Sequence, residues 1–387
     1  MNKFLLHSIL IFILVVFQWA CTTEKKVEEV HVPHLNYGEW EAPEIKTASL
    51  DFAQIPFKNL SDYGFFKGKI RELEAEDGVI PYEPASSLFT DYAHKSRFIW
   101  MPEESQAKIN KDMEGTMKFP DQTVLIKNFY YPSDFRKPTK NIRMIETRLM
   151  VKRNGTWEAF PYIWNDDQTD AVYKVVGAEI PVKWTNIKGE EQVINYIVPN
   201  KNQCKSCHNV NEEMVPIGVK AKHLNNEFPY ASGHQNQLVK WQDVGYLEQV
   251  EHPENFPSMI NYKDQNQELN LRAMAYLDIN CAHCHRAEGP ASTSGLFLNY
   301  EERDPMKLGI FKTPVAAGFG AGSFKFGIHP GKADKSIMTF RMGTNQVGAA
   351  MPELGRVIVH EEGLQLIKDW INDMDEGSFK NQKAQLR

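Results

Sequence analysis

The sequence predicts an α+β protein, with a β-rich N-terminal domain followed by an all-α C-terminal domain. Three observations carry that prediction. Asn154-Gly155 lies between two apolar, β-branched runs, Ile142 to Arg153 and Thr156 to Trp164, which is the strongest short-range signature of a β-hairpin. Thr123 to Tyr130 is a further β-branched and aromatic run, and Ile180 to Trp184 and Gln192 to Val198 flank a second turn signal at Lys188-Gly189. Towards the other end the period changes. Leu269, Ala273, Tyr276 and Leu277 share one side of a helix over Glu268 to Ile279, and Leu364, Ile367, Trp370, Ile371 and Met374 do so over Glu361 to Met374, the three-to-four spacing of amphipathic helices.

The chain has 387 residues, enough for two or three cores, and its 42% hydrophobic and 24% charged content is ordinary for a globular protein. Net charge is −6 without long basic runs, which leaves no electrostatic footprint for nucleic acid. Residues 1–20 read as an export signal: Lys3 precedes a stretch from Phe4 to Phe17 that is apolar apart from His7 and Ser8, followed by Ala20-Cys21. A retained anchor helix is the alternative for this segment, and either reading tethers the chain to a membrane from outside the cytoplasm. Residues 21–55, with Pro33, Pro43 and no sustained period, read as a tether. Residues 56–200 form the β-rich domain, in which Trp157, Tyr162 and Trp164 read as core. The polar run Trp164 to Asp170 reads as a solvated turn and not a calcium loop, because it lacks the alternating acids and the central glycine. Residues 201–262 hold a first cysteine motif and a short helix over His234 to Val244 capped near Ser232. Residues 263–387 form the all-α domain.

Five cysteines are present: Cys21, Cys204, Cys207, Cys281 and Cys284. Four of them make two Cys-x-x-Cys pairs, each followed at once by histidine, His208 and His285. Two thiols at this spacing add to the two vinyl groups along one edge of a haem, and the next residue then lies under the ring as proximal iron ligand. A zinc ribbon would need the pairs closer in sequence and has no use for the histidines. A thioredoxin-like pair would need a βαβ setting, and two structural disulfides leave both histidines unexplained. The sequence therefore implies two covalently bound haem c groups, held by Cys204, Cys207, His208, Cys281, Cys284 and His285.

Several resemblances extend this reading. Ala20-Cys21 resembles the lipobox of bacterial lipoproteins, although Gln18 departs from its pattern, and the resemblance implies lipidation of Cys21 and a membrane anchor. The order of helix, haem motif, loops and closing helix over 266–377 resembles the all-α fold of class I cytochromes c. That likeness makes Met351, in Ala350-Met351-Pro352, the distal ligand of the second haem, over Met338 and Met342 on a more helical stretch. Residues 60 to 375 resemble a family of exported dihaem c-type cytochromes of unestablished role, through Leu60-Ser61-Asp62-Tyr63-Gly64, Leu88-Phe89-Thr90-Asp91-Tyr92-Ala93, Glu146-Thr147-Arg148-Leu149, both haem motifs and Met351-Pro352. It implies redox partner proteins of the envelope, a parallel β-helix protein among them. A β domain ending in such a motif also resembles the β-sheet cytochromes c-prime, which implies an open distal position at the first haem.

Two function classes follow. In one the chain transfers single electrons in the cell envelope without catalysis. In the other it is a haem enzyme, peroxidase-like or acting on small nitrogen compounds, with an open site at the first haem. Met214, His223, His234, Met259 or an open position are the alternatives left for the distal side of that haem.

Overall fold

Residues 50–315 and 318–379 are described by the computed structural model of the chain. The export signal, Cys21 and the tether up to residue 49 lie outside the described residues. In chain order the strands are β1 (Ile80–Pro81), β2 (His94–Trp100), β3 (Lys108–Ile109), β4 (Met117–Lys118), β5 (Val124–Pro132), β6 (Ile142–Arg153), β7 (Thr156–Trp164), β8 (Ala171–Tyr173), β9 (Ala178–Thr185) and β10 (Glu191–Val198). Six of them form one antiparallel sheet in the order β1-β2-β5-β6-β7-β8, with β9 and β10 paired separately. The hairpin between β6 and β7 closes at Arg153↔Thr156, and Asn154 (φ 51°) and Gly155 (φ 77°) supply the two positive φ values that this turn demands.

Strand alternation divides the sheet's side chains between two covered faces. Phe98, Trp100, Val124, Ile126, Leu149, Val151 and Phe160 point into one core, closed by Leu60, Tyr63 and Phe65 from the preceding segment. Ile99, Leu125, Met150, Trp157 and Ala159 point the other way, against Cys204, Leu224, Leu238 and Trp241. Burial on both faces is why β5 reads as a nearly unbroken apolar run. Trp157, Tyr162 and Trp164 are buried, as expected of core residues. The polar turn after β7 is closed by its own Asn165, whose Oδ1 accepts from the Thr169 amide at 2.9 Å.

The predicted fold class does not hold. The described chain is mostly β, with short β11 (Asn209–Val210), β12 (Glu213–Met214), β13 (Glu227–Tyr230) and β14 (Gly233–Asn236) following the large sheet, and no separate all-α class I cytochrome c-like domain is formed. Helices Leu269–Leu277 and Glu361–Asp373 lie where the periodicity puts them. Between them, however, the chain runs mainly through turns and 3-10 segments, and the described residues make one compact unit. The physical reason is a seam between the two halves. The Asn280 side chain accepts from the Phe89 amide at 2.8 Å, and the Asp91 carboxylate accepts from the amides of Val357 and Ile358 at 2.8 and 3.1 Å. Phe89 stacks on His360 with ring centroids 4.2 Å apart, and Leu88 packs into the C-terminal core. Helical period records the buried face of a helix but not which part of the chain covers it. The helix expected over His234 to Val244 is also shorter, spanning Gln237–Asp243, because its cap is Asn236, whose Oδ1 accepts from Leu238 N at 2.9 Å.

The closing helix sits on helix Leu269–Leu277 through Gly363, where an added Cβ would strike the ring and hydroxyl of Tyr276. Tyr276 is buried and its hydroxyl is 3.1 Å from His360 Nδ1, so the ring has nowhere to retreat. A Gly→Ala change inside a helix normally gains up to about 1 kcal/mol, less in the first turn where Gly363 lies, whereas overpacking costs about 1–3 kcal/mol. Gly363→Ala is therefore expected to lower stability by about 1 kcal/mol in urea unfolding. A stabilised variant would show that the two helices are less tightly apposed.

Candidate functional site

Both cysteine motifs are presented by short, locally determined elements. Helix Lys201–Cys207 follows β10 directly and opens on a capping box: Gln203 N donates to Asn200 Oδ1 at 3.0 Å, and Asn200 N donates to Gln203 Oε1 at 2.9 Å. It buries Cys204 in the core beneath the sheet and leaves Cys207 and His208 half-buried at its end. Positive φ at Asn211 and Glu212 then turns β11 back into β12. That return brings the Val215 carbonyl to His208 Nδ1 at 2.8 Å. A carbonyl only accepts, so Nδ1 carries the proton and the lone pair of His208 is on Nε2. A hydrogen bond from the other ring nitrogen to a carbonyl in this way orients histidine for metal ligation.

In the second motif, helix Leu269–Leu277 passes into a π-helical turn, Asp278–Ala282, that carries Cys281; such turns are frequent at functional sites. Amides of Cys284 and His285 donate to the Cys281 carbonyl at 3.0 and 2.9 Å. Gly289 lies so close to the Cys284 carbonyl that a Cβ there would overlap it. Ser294 Oγ lies 3.4 Å from His285 Nδ1. Burial pushes His208 down to about 3 and His285 to about 4, so both imidazoles are neutral at pH 7, the form that binds a metal.

The two motifs, far apart in sequence, meet in space. Ligand atoms of Cys207, His283 and Cys284 all lie within 4.8 Å of one another. Hydrogen bonding from Cys284 holds the Cys207 thiol below its usual range, against the effect of burial and with further help from His283. The same bond, with burial, pushes Cys284 up. Burial raises Cys204 and takes Cys281 up to about 12. All four described cysteines are free thiols. Beside the meeting point opens a cavity of about 200 Å³, with Cys207, His283, Trp157 and Ile279 among its walls together with the charged Glu114 and Asp278. Free thiol pairs, each followed by a neutral histidine, fit the chemistry of haem attachment at both motifs; the cavity adjoins Cys207 of the first.

Met351 is half-buried in the stretch before the closing helix, held by its backbone: its amide donates to the Arg341 carbonyl at 2.9 Å, and its carbonyl accepts from Arg356 Nη2 at 3.0 Å. Met338 and Met342 pack against the C-terminal apolar cluster, and Met351 is not part of it. Glu353, two residues on, adds its charge to that of Cys207 and Cys281 in raising Cys284, which puts this stretch on the side of the second motif. Among the candidates for the first distal position, His234 is exposed on β14, Met259 is buried in the C-terminal core and Met214 is half-buried in β12. His223 is 2% exposed and lines the cavity, with Nε2 3.4 Å from Asp278 Oδ1 and Nδ1 without a partner among the described residues.

Two features escaped the sequence reading. His283 is a third donor inside the second motif, visible as a residue but not as a neighbour of Cys207. Buried Lys222 is ringed by three carboxylates, Asp278 at 2.6 Å and Glu114 and Glu301 at 3.1 Å each. Those acids lie close enough together to hold a metal ion, and the ammonium of Lys222 occupies that role. None of the described helices is long and apolar enough to cross a membrane. No protein-family model matches the chain, and neither a curated protein nor a solved structure does.

Proposed function

We propose that the chain is a dihaem c-type cytochrome that passes single electrons in the bacterial cell envelope. The observation that carries this reading is the convergence of the two motifs at Cys207, His283 and Cys284. Cys204 and Cys207 would hold one haem, with His208 as its proximal ligand; Cys281 and Cys284 would hold the other, with His285 and Met351 on its iron. Haem bound there supplies reversible one-electron chemistry, and histidine–methionine ligation sets a potential suited to electron transfer. The protein's own share is to keep both imidazoles neutral and oriented, and to bring the attachment points together. Lipid on Cys21 would tether the chain to a membrane facing the periplasm or cell exterior. Redox proteins of the envelope, a parallel β-helix protein among them, would be its partners.

A flash-reduction experiment tests this. An electron delivered to one haem by a photoreductant is expected to redistribute to the other at a rate independent of protein concentration. Redistribution that scales with concentration would mean the two centres exchange only between molecules.

A second reading is favoured by the same three donors. Cys207, Cys284 and His283 make a Cys₂His set suited to zinc. Under that reading the purified chain carries one zinc and no haem, and Cys284→Ser loses the metal; elemental analysis and the visible spectrum of one sample separate the two.

A further inference from the structure

A row of cations crosses one face of the large sheet, with Arg97 buried and Lys95, Lys127 and Arg148 half-buried. Strand pairing sets Arg97 of β2 opposite Lys127 of β5, and Lys127 opposite Arg148 of β6. Lys95 precedes Arg97 by two residues and so shares its face. The ring of Phe129 has Lys95, Lys127 and Arg148 over it at 5.8, 5.0 and 4.4 Å. Like charges directly opposite one another destabilise a sheet, and the nearby acids offset them only at Arg148. Glu146 is committed to Arg148, which donates to both of its oxygens, and it also accepts from the Tyr196 hydroxyl. The carboxylate beside Arg97 is Glu83 at 3.9 Å, and burial pushes that carboxyl up towards its neutral form. Lys95 donates to the Ala93 carbonyl. The Lys127 ammonium makes no hydrogen bond or ion pair with any described residue. Burial, and then the charges of Arg97, Lys95 and Arg148, hold Lys127 well below its ordinary range.

This strip lies between two apolar clusters, one containing Leu125, Met150 and Cys204, the other Phe129, Ile145 and Tyr196. It is also next to the first motif: the charges of Lys127 and Arg148 act on His208, and that of Arg148 on Cys204 and Cys207. An excess of cations beside an apolar patch complements a flat apolar molecule that carries carboxylates at one edge.

We propose that Arg97, Lys127 and Arg148, flanked by Lys95, form a half-buried site for an anionic oxygen group, either the carboxylates of the haem at the first motif or a free oxyanion. Only the first of these sources rests on the dihaem reading.

The test uses the full-length purified protein, with Lys127→Gln and the charge-keeping Lys127→Arg. Intact mass, calorimetric binding of sulfate as probe, and the midpoint potential of each haem are measured on all three. If haem carboxylates fill the site, wild type carries two haems and does not take up sulfate. Lys127→Gln then keeps both attachments while the potential of one haem falls and the other stays. If a free oxyanion fills it, wild type binds one sulfate and Lys127→Gln binds it about tenfold or more weakly, the loss expected for a charged hydrogen bond. Sulfate binding in protein whose mass shows no haem supports the site and overturns the dihaem reading alone. Two haems with unmoved potentials and no sulfate binding overturn the proposal, as does haem-free protein that ignores sulfate. A response in Lys127→Arg equal to that in Lys127→Gln assigns the effect to packing and also overturns it.

Discussion

Replacing Lys222 by alanine is expected to lower stability by about 3–5 kcal/mol, the usual loss when a buried ion pair is broken from one side. Lys222 has no solvent exposure, and its ammonium reaches Asp278, Glu114 and Glu301 at once. Without it three carboxylates remain together, two of them against the cavity, with only Lys220 and Arg286 as nearby cations. The pH dependence should change with it. Burial raises Glu114 and Asp278, but the charges of Lys220 and Lys222 outweigh it and leave both below the usual carboxylate range. A depressed folded value means stability that is present above the unfolded value of about 4 and lost as pH falls through the folded one. Glu301 runs the other way, because burial leaves it raised. Wild type should therefore lose stability as pH drops below about 4, and Lys222→Ala should instead gain stability on mild acidification. Urea midpoints measured across that range would show it; a loss under 1 kcal/mol with an unchanged pH profile would mean that the carboxylates are solvated.

Met351→Ala is expected to remove the thioether from the iron at the second motif. The weak absorption band of methionine-ligated ferric haem should vanish, that haem should become able to bind carbon monoxide, and its potential should fall by on the order of 100 mV, a fraction of the roughly 0.8 V that axial ligation spans. Met338→Ala is the control. Met338 packs against the C-terminal core, so its loss should cost about 2 kcal/mol of stability and leave the band in place. If the band survives in Met351→Ala and disappears in Met338→Ala, the ligand assignment is reversed. Wild-type protein that binds no carbon monoxide would also remove the support for an open site at the first haem, and with it the enzyme reading.

How much of this was legible depends on how local each feature is. The β6–β7 hairpin is announced by Asn154-Gly155, and helix Glu361–Asp373 by its apolar stripe, because turn chemistry and periodicity are written in adjacent residues. β2 was not visible. Lys95 and Arg97 break the alternation, since they point into a covered face where apolar residues belong. β8 is only three residues long and exists through its pairing with β7. The separate all-α domain was expected because helix spacing says nothing about Phe89 and Asp91, which stitch the C-terminal segment to the rest. Cysteine spacing identified both motifs, but only the fold places Cys207 beside Cys284. Its place in the cavity wall likewise singles out His223 from His234, Met214 and Met259, a distinction no window of sequence contains.

The most direct test of the dihaem reading is the intact mass of the mature protein, exported from cells equipped for c-type haem maturation. The account predicts a gain of two haems that survives acid–acetone extraction, falling to one when Cys204 and Cys207 are both replaced by serine, and to one when Cys281 and Cys284 are. A haem-free mass, with the four thiols intact, bound to zinc or joined as disulfides, would contradict it.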